Sequence, residues 1–364
     1  MNCFDSLPVI FVIIPVYKAE KYIAQAMDSV LGQPYKNIRI VCVDDGSPDD
    51  SISILRDYEK RHENIHVIRQ ENGGVSKARN TGIDYVLRCC GERDYLTFLD
   101  ADDLWAKNAT AELHMDIAEH PDCIGYRHVR CTEDLRSAAP SPGLKAQLLA
   151  GGTQSLWCHM GHPFAAVLYS CQLLRNYSIR FVENLSYAED SIFRFTCFYL
   201  AEQVKLVDRV LYCYRINLAS AMHRRKYGTE YMPPIIRGYL KTAEFLRPYE
   251  NERRGSTKFC HIMAGVHAIE MVEEHYQKFR SNRIIEKFLS ENPDISEAIR
   301  QLNRNDLAEK HQKLYDEYHT APMRFRLRCR LSGICIWWMD VGKKIALLMK
   351  IWQRKRFPMS NKYL

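Results

Sequence analysis

No apolar run in the 364-residue chain approaches the roughly 18 to 20 residues that a membrane-spanning helix needs. The opening stretch, MNCFDSLPVIFVIIPVYK, sets an acidic residue before a short apolar segment where a secretory signal would carry basic ones. Neither a span nor a signal peptide is therefore expected. GxGxxG and GxxxxGK[ST] are both missing, which removes the dinucleotide fingerprint and the P-loop, and with them the dehydrogenase and NTPase readings. Cysteine is not scarce, at 13, but the number is odd, no CxxC occurs and the positions scatter from Cys3 to Cys335, with an adjacent pair at Cys89 and Cys90. A reducing cytoplasm suits such a pattern. Internal repeats and low-complexity segments are also missing.

What is present, 46% hydrophobic, 26% charged and 11% aromatic residues, is the profile of a soluble globular protein with at least one sizeable core. It excludes disorder, collagen and mini-protein classes. The net charge of +7 is unevenly spread. Residues 322–364 hold eleven Lys/Arg against Asp340 alone, so this tail carries +10 and the remainder −3. A nucleic-acid footprint over the main domain is not supported, and no nucleic-acid partner is expected.

From residue 9, apolar runs of strand length alternate with amphipathic stretches of helix length, the signature of α/β layering around a parallel sheet. The pattern predicts strands over Val9 to Pro15, Ile38 to Val43, Ile65 to Ile68 and Tyr95 to Leu99. Helices are predicted over Ala19 to Leu31, Asp49 to Lys60 and Ser76 to Leu87. Val9 to Pro15 is continuously apolar and β-branched, as a strand buried on both faces requires. Further on, an acidic pair, Glu189 and Asp190, precedes an apolar helix face of Ile192, Phe193 and Phe195. Val204 to Tyr214 is strand-like, and Tyr227 to His319 is mostly helical in pattern.

Ligands of such sheets gather at the carboxyl ends of the strands. Those ends read Pro15-Val16-Tyr17, Asp44-Asp45-Gly46-Ser47, Glu71-Asn72-Gly73-Gly74 and Asp100-Ala101-Asp102-Asp103. Four carboxylates on two strand ends repel one another unless a cation or hydrogen-bond donors offset them, and a divalent ion with oxygen ligands is the simplest offset. Asp100 and Asp102 can hold Mg²⁺ or Mn²⁺ against a diphosphate, neutralising charge on a departing phosphate oxygen. The plainer reading is that Asp103 or a neighbour caps a helix starting near Trp105. Asp44 can accept the imide N–H of a uracil or thymine ring while Asp45 makes a turn with Gly46, and Ser47 or Asp49 caps the next helix. Arg79 stands in the first turn of a helix introduced by Gly73 and Gly74, either as a surface cation or within reach of a nucleotide. Glu189 and Asp190 can serve as an acidic helix N-terminus, or supply the general base that a sugar transfer needs. His223 is a surface histidine or a third metal contact.

The ordered set IPVYKAEKYI, VCVDDGSPDDS, ENGGVSKARNTG, LDADD and YAEDSIF resembles the family 2 glycosyltransferases, inverting GT-A enzymes that move a sugar from a nucleotide diphosphate to a hydroxyl acceptor. The resemblance runs from about Val9 to about His223. It implies a Rossmann-like, mostly parallel central sheet with flanking helices over residues 1–225, followed by a helical region over 226–321. It further implies that Pro15, Val16 and Tyr17 line the nucleotide pocket, with Asp44 facing the base, Asp45 beside it and Arg79 near the nucleotide. Asp100 and Ala101 would approach the ribose and donor sugar. Asp102, with His223, would contact Mn²⁺ or Mg²⁺, and Asp190, with Glu189 as its neighbour, would be the general base. The donor would be a UDP-sugar and the acceptor a saccharide or glycolipid. The rival reading is a non-catalytic nucleotide-sugar-binding or scaffolding protein of the same fold. The chain departs from the pattern at Trp157 to Val167, where many members carry a lysine and this one has none.

In residues 322–364, Ile334, Trp337, Trp338, Val341, Ile345, Leu348 and Trp352 recur at helical spacing beside Lys343, Lys344, Lys350, Arg354, Lys355 and Arg356. This pattern fits a helix lying in an anionic membrane surface, at the inner face of the cell membrane, or one docked on protein.

Overall fold

The computed structural model describes residues 7–132, 137–140, 147–150, 164–185, 188–216, 232–250, 256–279, 282–307 and 309–320. The chain divides into two compact units, the first holding the described residues up to 184 and from 189 to 216, the second residues 185 and 188 and the described residues from 232 on. The boundary expected at 225/226, His223, Trp157 to Pro163 and the whole basic tail lie outside the described residues.

In the first unit the continuously apolar run becomes β1 (Ile10–Val16), buried at every position. It pairs in parallel with β2 (Ile38–Asp44), which pairs in parallel with β3 (Ile65–Arg69); on its other side β1 pairs in parallel with β4 (Tyr95–Phe98). All four strands stand within a residue or two of where the apolar pattern puts them. Burial on both faces follows from the crossover helices α1 (Ile23–Leu31), α2 (Ser51–Arg61) and α3 (Val75–Cys89), which a parallel sheet needs to close its connections. Helix α1 starts four residues later than expected. The Ala19 and Glu20 amides are taken by the Ser51 Oγ and the Asp49 carboxylate, so that stretch becomes a turn pinned to the next loop.

Beyond β4 the sheet continues through β5 (Leu104–Trp105), β6 (Cys123–Cys131), β7 (Ser137–Pro140), β8 (Gln147–Ala150), β9 (Val167–Ser170) and β10 (Gln203–Arg215), in the order β3-β2-β1-β4-β9-β6-β10-β5. Strand β9 runs antiparallel to both β4 and β6, while β6 and β10 are parallel to each other with irregular register between Val207 and Tyr212. The mixed half is built around nonlocal pairs. No helix starts at Trp105: Leu104 and Trp105 enter β5, antiparallel to β10, so Asp103 is not a helix cap. The short helices α4 (Leu113–Asp116) and α5 (Cys171–Asn176) and the longer α6 (Glu189–Leu200) complete this unit. Ile192, Phe193 and Phe195 of α6 are all buried, as the apolar face predicts.

An aromatic cluster sits beneath β4. Phe181 and Phe193 stack with centroids 4.0 Å apart, and Phe98 meets both edge-on at 5.2 and 5.6 Å. Each such pair adds about 0.5–1.5 kcal/mol beyond its area burial. The cluster fixes where α6 begins, and hence where Glu189 and Asp190 stand. On the same face, Gly82 lets α3 approach β1 so closely that an added Cβ would lie 2.5 Å from the Ile13 Cγ2.

The second unit holds α7 (Met232–Leu246), α8 (Ser256–Phe279), α9 (Asn282–Glu291), α10 (Pro293–Arg300) and α11 (Glu309–Thr320). Gly265 of α8 allows close packing of Leu302 and the Ala298 carbonyl, and Arg237 of α7 bridges to Asp294 of α10 at 2.7 Å.

Candidate active site

The residues singled out along the sequence converge on one rim, at the carboxyl ends of β1, β2 and β4. Val16 and Asp44 are partners in the β1–β2 register. The loops beyond are stitched to one another: the Asp45 amide donates to the Val16 carbonyl at 2.8 Å, and the Gln70 amide to the Asp44 carbonyl at 2.9 Å. Tyr17 projects from this rim with 48% of its surface exposed, unusual for a large ring.

Asp44 and Asp45 have different surroundings. The Asp45 carboxylate accepts from Gln70 Nε2 at 2.8 Å and from the amides of Gly73 and Gly74 at 2.9 Å each. It is saturated by donors of its own protein and anchors the loop before α3. Gly74, at φ +86°, can make that turn because it has no Cβ. Asp44 is fully buried; its Oδ1 accepts a long 3.3 Å bond from the Ser47 amide, and its Oδ2 has no hydrogen-bond donor, with Arg69 Nε at 3.3 Å as an ionic neighbour. Nearly all buried acceptors are paired, so an unpaired one at a sheet rim is a place for a ligand's N–H.

Arg79 is the electrostatic centre of the rim. With 4% of its side chain exposed, it donates to Asp100 at 2.8 Å and to Glu189 at 2.9 Å, and its guanidinium carbon lies 4.4 Å from the Phe164 centroid. Burial works against its charge, but Asp100 and Glu189 outweigh that and hold its pKa above the ordinary value. The surface-cation reading is thereby corrected. Glu189, 15% exposed, is raised by burial despite Arg79. Asp190 accepts only a bond from the next amide, Ser191, at 2.6 Å among the described hydrogen bonds. Thus Glu189 is committed to an ion pair, whereas Asp190 accepts no side-chain bond among the described residues.

Asp102 carries no described side-chain partner, and its pKa is raised by burial and by the charge of Asp100. Ala101 between them is buried. Asp103 faces inward, accepting from the Tyr212 hydroxyl and, at 2.6 Å, from the Arg215 amide; burial, Asp100 and Asp102 push it well above the carboxylate range. Arg215 also donates to the Asp102 carbonyl at 2.6 Å and to Gln25 at 2.8 Å. This bracing of the DADD loop by Tyr212 and Arg215 was not legible in sequence. Both sit at the end of a strand one hundred residues downstream, where nothing marks an arginine as belonging to the rim.

Among the described residues no group of three His, Cys, Asp or Glu side chains could cage a metal ion. Asp102 with Asp100 nevertheless suits Mg²⁺ or Mn²⁺, which are commonly held by one or two carboxylates together with substrate phosphates. Asp102 is unpaired and short of countercharge, which is the chemistry such an ion offsets.

Residues 11–170 match the profile of "Glycosyl transferase family 2". The chain is 34% identical over 223 residues to an uncharacterized glycosyltransferase, EpsJ, of Bacillus subtilis, covering 58% of this chain and 62% of that protein. It is 41% identical over 116 residues to the minor teichoic acid biosynthesis protein GgaB of the same organism, covering 31% of this chain and 12% of the relative. The chain thus spans less than two thirds of either relative. Among solved structures, S. aureus TarS 1–349 in complex with UDP-GlcNAc shares the fold, with a TM-score of 0.59 at 20% identity over 89% of each chain. Over residues 11–170 the chain is thus similar to glycosyl transferase family 2, and it shares its fold with TarS.

Proposed function

We propose that the protein is an inverting glycosyltransferase that moves a sugar from a nucleotide-diphosphate sugar, a UDP-sugar first among them, to a hydroxyl of a saccharide or lipid-linked acceptor. The observation that carries the reading is the rim itself, where the Asp44 Oδ2 is buried without a donor and Asp100 and Glu189 flank one buried arginine, with Asp190 next in the chain. Asp44 Oδ2 accepts the base's imide N–H once Arg69, whose side chain is 55% exposed, swings aside. Pro15, Val16 and Tyr17 line the base. Asp100, held by Arg79, meets the ribose and sugar.

Asp102 would hold the divalent ion, with Asp100 beside it; when bound, that ion neutralises the leaving diphosphate. Asp190 takes the proton of the acceptor hydroxyl, a contribution of about 10²–10⁴ in rate for general-base catalysis. Arg79 pins Glu189 next to it, so the start of α6 cannot drift. Inversion follows from one in-line displacement at the anomeric carbon, with the base and the leaving group on opposite sides.

The test is release of nucleoside diphosphate from a panel of UDP-, GDP- and dTDP-sugars, with Mn²⁺ or with chelator, for the wild type, Asp102→Ala and Asp190→Asn. Metal-dependent release from one donor, abolished by Asp102→Ala and lowered about 10²–10⁴-fold by Asp190→Asn with nucleotide binding intact, is the expected result. Absence of metal-dependent nucleotide binding would overturn the reading. Binding without release in the presence of saccharide acceptors would leave the scaffold function instead.

A further inference from the structure

The end of α3 farthest from the rim carries two neighbouring cysteines with opposite environments. The Cys89 thiol turns back on its own helix and meets the Tyr85 and Val86 carbonyls, both at 3.4 Å, as a neutral donor does. The Cys90 sulfur instead accepts: Arg175 Nη2 of α5 reaches it at 2.9 Å while also binding the Leu87 and Cys90 carbonyls at 3.0 and 3.1 Å. Cys171 stands one helical turn before Arg175 on the same face of α5, fully buried, and its thiol hydrogen-bonds to Cys90. The two backbones are held together independently of the side chains. The Cys171 amide donates to the Asp94 carbonyl at 2.9 Å, and Tyr95 of β4 pairs with Ser170 of β9, so the Gly91–Asp94 turn lays Cys90 against the first residue of α5.

A cleft of about 330 Å³ opens beside this pair, lined by Arg88, Arg175, Arg180, Ser178, Asp84 and Leu174 among others. Asp84 offsets Arg180, at 2.8 Å, which leaves the cleft cationic. None of these groups takes part in the rim chemistry.

We propose that Cys90 is an exchange site for low-molecular-weight disulfides that carry carboxylates, and that Cys171 resolves the adduct to leave a reversible Cys90–Cys171 bond. In the first step the Cys90 thiolate attacks one sulfur of the small disulfide. That S–S bond breaks, a small thiolate leaves, and a mixed disulfide forms at Cys90. In the second, Cys171 gives up its proton to the departed thiolate and attacks the Cys90 sulfur, expelling the second small thiol. Two protein thiols are oxidised by two electrons and one small disulfide is reduced to two thiols. The order of events is set by the environment. The hydrogen bond from Cys171 lowers Cys90 to about 7 against burial, with Arg175 assisting and Asp94 opposing, whereas that same hydrogen bond and burial raise Cys171. Thiol exchange runs through the thiolate, and an attacking thiol is fastest with a pKa near ambient pH.

The experiment treats the full, reduced chain with oxidised glutathione and reads intact mass and a non-reducing peptide map. The wild type is expected to lose two hydrogens with the Cys90 and Cys171 peptides linked, Cys171→Ser to retain one glutathionyl group on Cys90, and Cys90→Ser to do neither. Cystamine, a cationic small disulfide, is expected to react about fivefold more slowly than oxidised glutathione, with that preference lost in Arg88→Ala; a difference of this size is what one or two exposed charge pairs supply. Accumulation of glutathionylated wild type without a Cys90–Cys171 link, or reaction at Cys89 ahead of Cys90, would overturn the proposal. Equal rates for the two disulfides would overturn the role of the cleft.

Discussion

At the scale of single residues, the rim is a place where charges are held at a cost. Asp102 and Glu189 both have raised pKa values in the folded chain, chiefly through burial. A carboxylate raised in this way binds its proton more tightly when folded. Its contribution to stability therefore falls as pH rises from the unfolded value, near 4, through the folded one. Asp102→Asn removes that penalty, so the variant is expected to be more stable than the wild type at pH 7 by about 0.5–2 kcal/mol, a typical gain where a functional strain is relieved. The advantage should shrink as pH is lowered toward 4, and Mn²⁺ should raise the melting temperature of the wild type alone. Urea unfolding at pH 7 and pH 4.5 checks this, and a variant less stable at pH 7 would contradict it. Sequence reading found Asp44, Asp100, Asp102 and Asp190 because strand ends and helix starts can be located from periodicity. It gave Asp45 to a turn with Gly46 but did not foresee that its carboxylate is spent on the Gly73 and Gly74 amides, which depends on a loop nearly thirty residues away.

At the scale of elements, the four parallel strands and three crossover helices follow from local pattern. A strand buried on both faces has few alternatives to a continuous β-branched run. The mixed half was legible only in part. The strand-like Val204 to Tyr214 run does become β10, but β9 is four residues long and takes its place from pairing with β4 and β6. Contacts of that range leave little trace in local composition. Where α3 meets β1 the fit is tight enough to make a sharp prediction. Gly82→Ala puts a methyl 2.5 Å from Ile13 Cγ2, and overpacking of this kind costs about 1–3 kcal/mol. The midpoint of urea unfolding should fall accordingly, and the fall should be smaller in an Ile13→Ala background, which lacks that Cγ2. An unchanged midpoint would show that α3 can ride away from the sheet.

At the scale of the whole molecule, the charge is divided between a slightly acidic body and a tail of +10. Among the described residues no helix is long and apolar enough to cross a membrane. We propose that residues 322–364 hold the protein on an anionic membrane surface, each basic residue near the surface contributing about 1 kcal/mol. Deleting them should move the protein from the membrane fraction to the supernatant while leaving nucleotide binding intact. Fractionation that does not change would sink the proposal. A lipid-linked acceptor would then be met at the surface where it resides.

The Asp45 anchor also bears on how the loops of this rim can be exchanged. Since one side chain on the second loop sets the turn that launches α3, and α3 carries Arg79, the loops over 44–47 and 70–74 behave as a single cassette. A chimera that takes its rim from a related chain should transplant both together, because either alone would bring a mismatched partner to the hinge on which the arginine hangs.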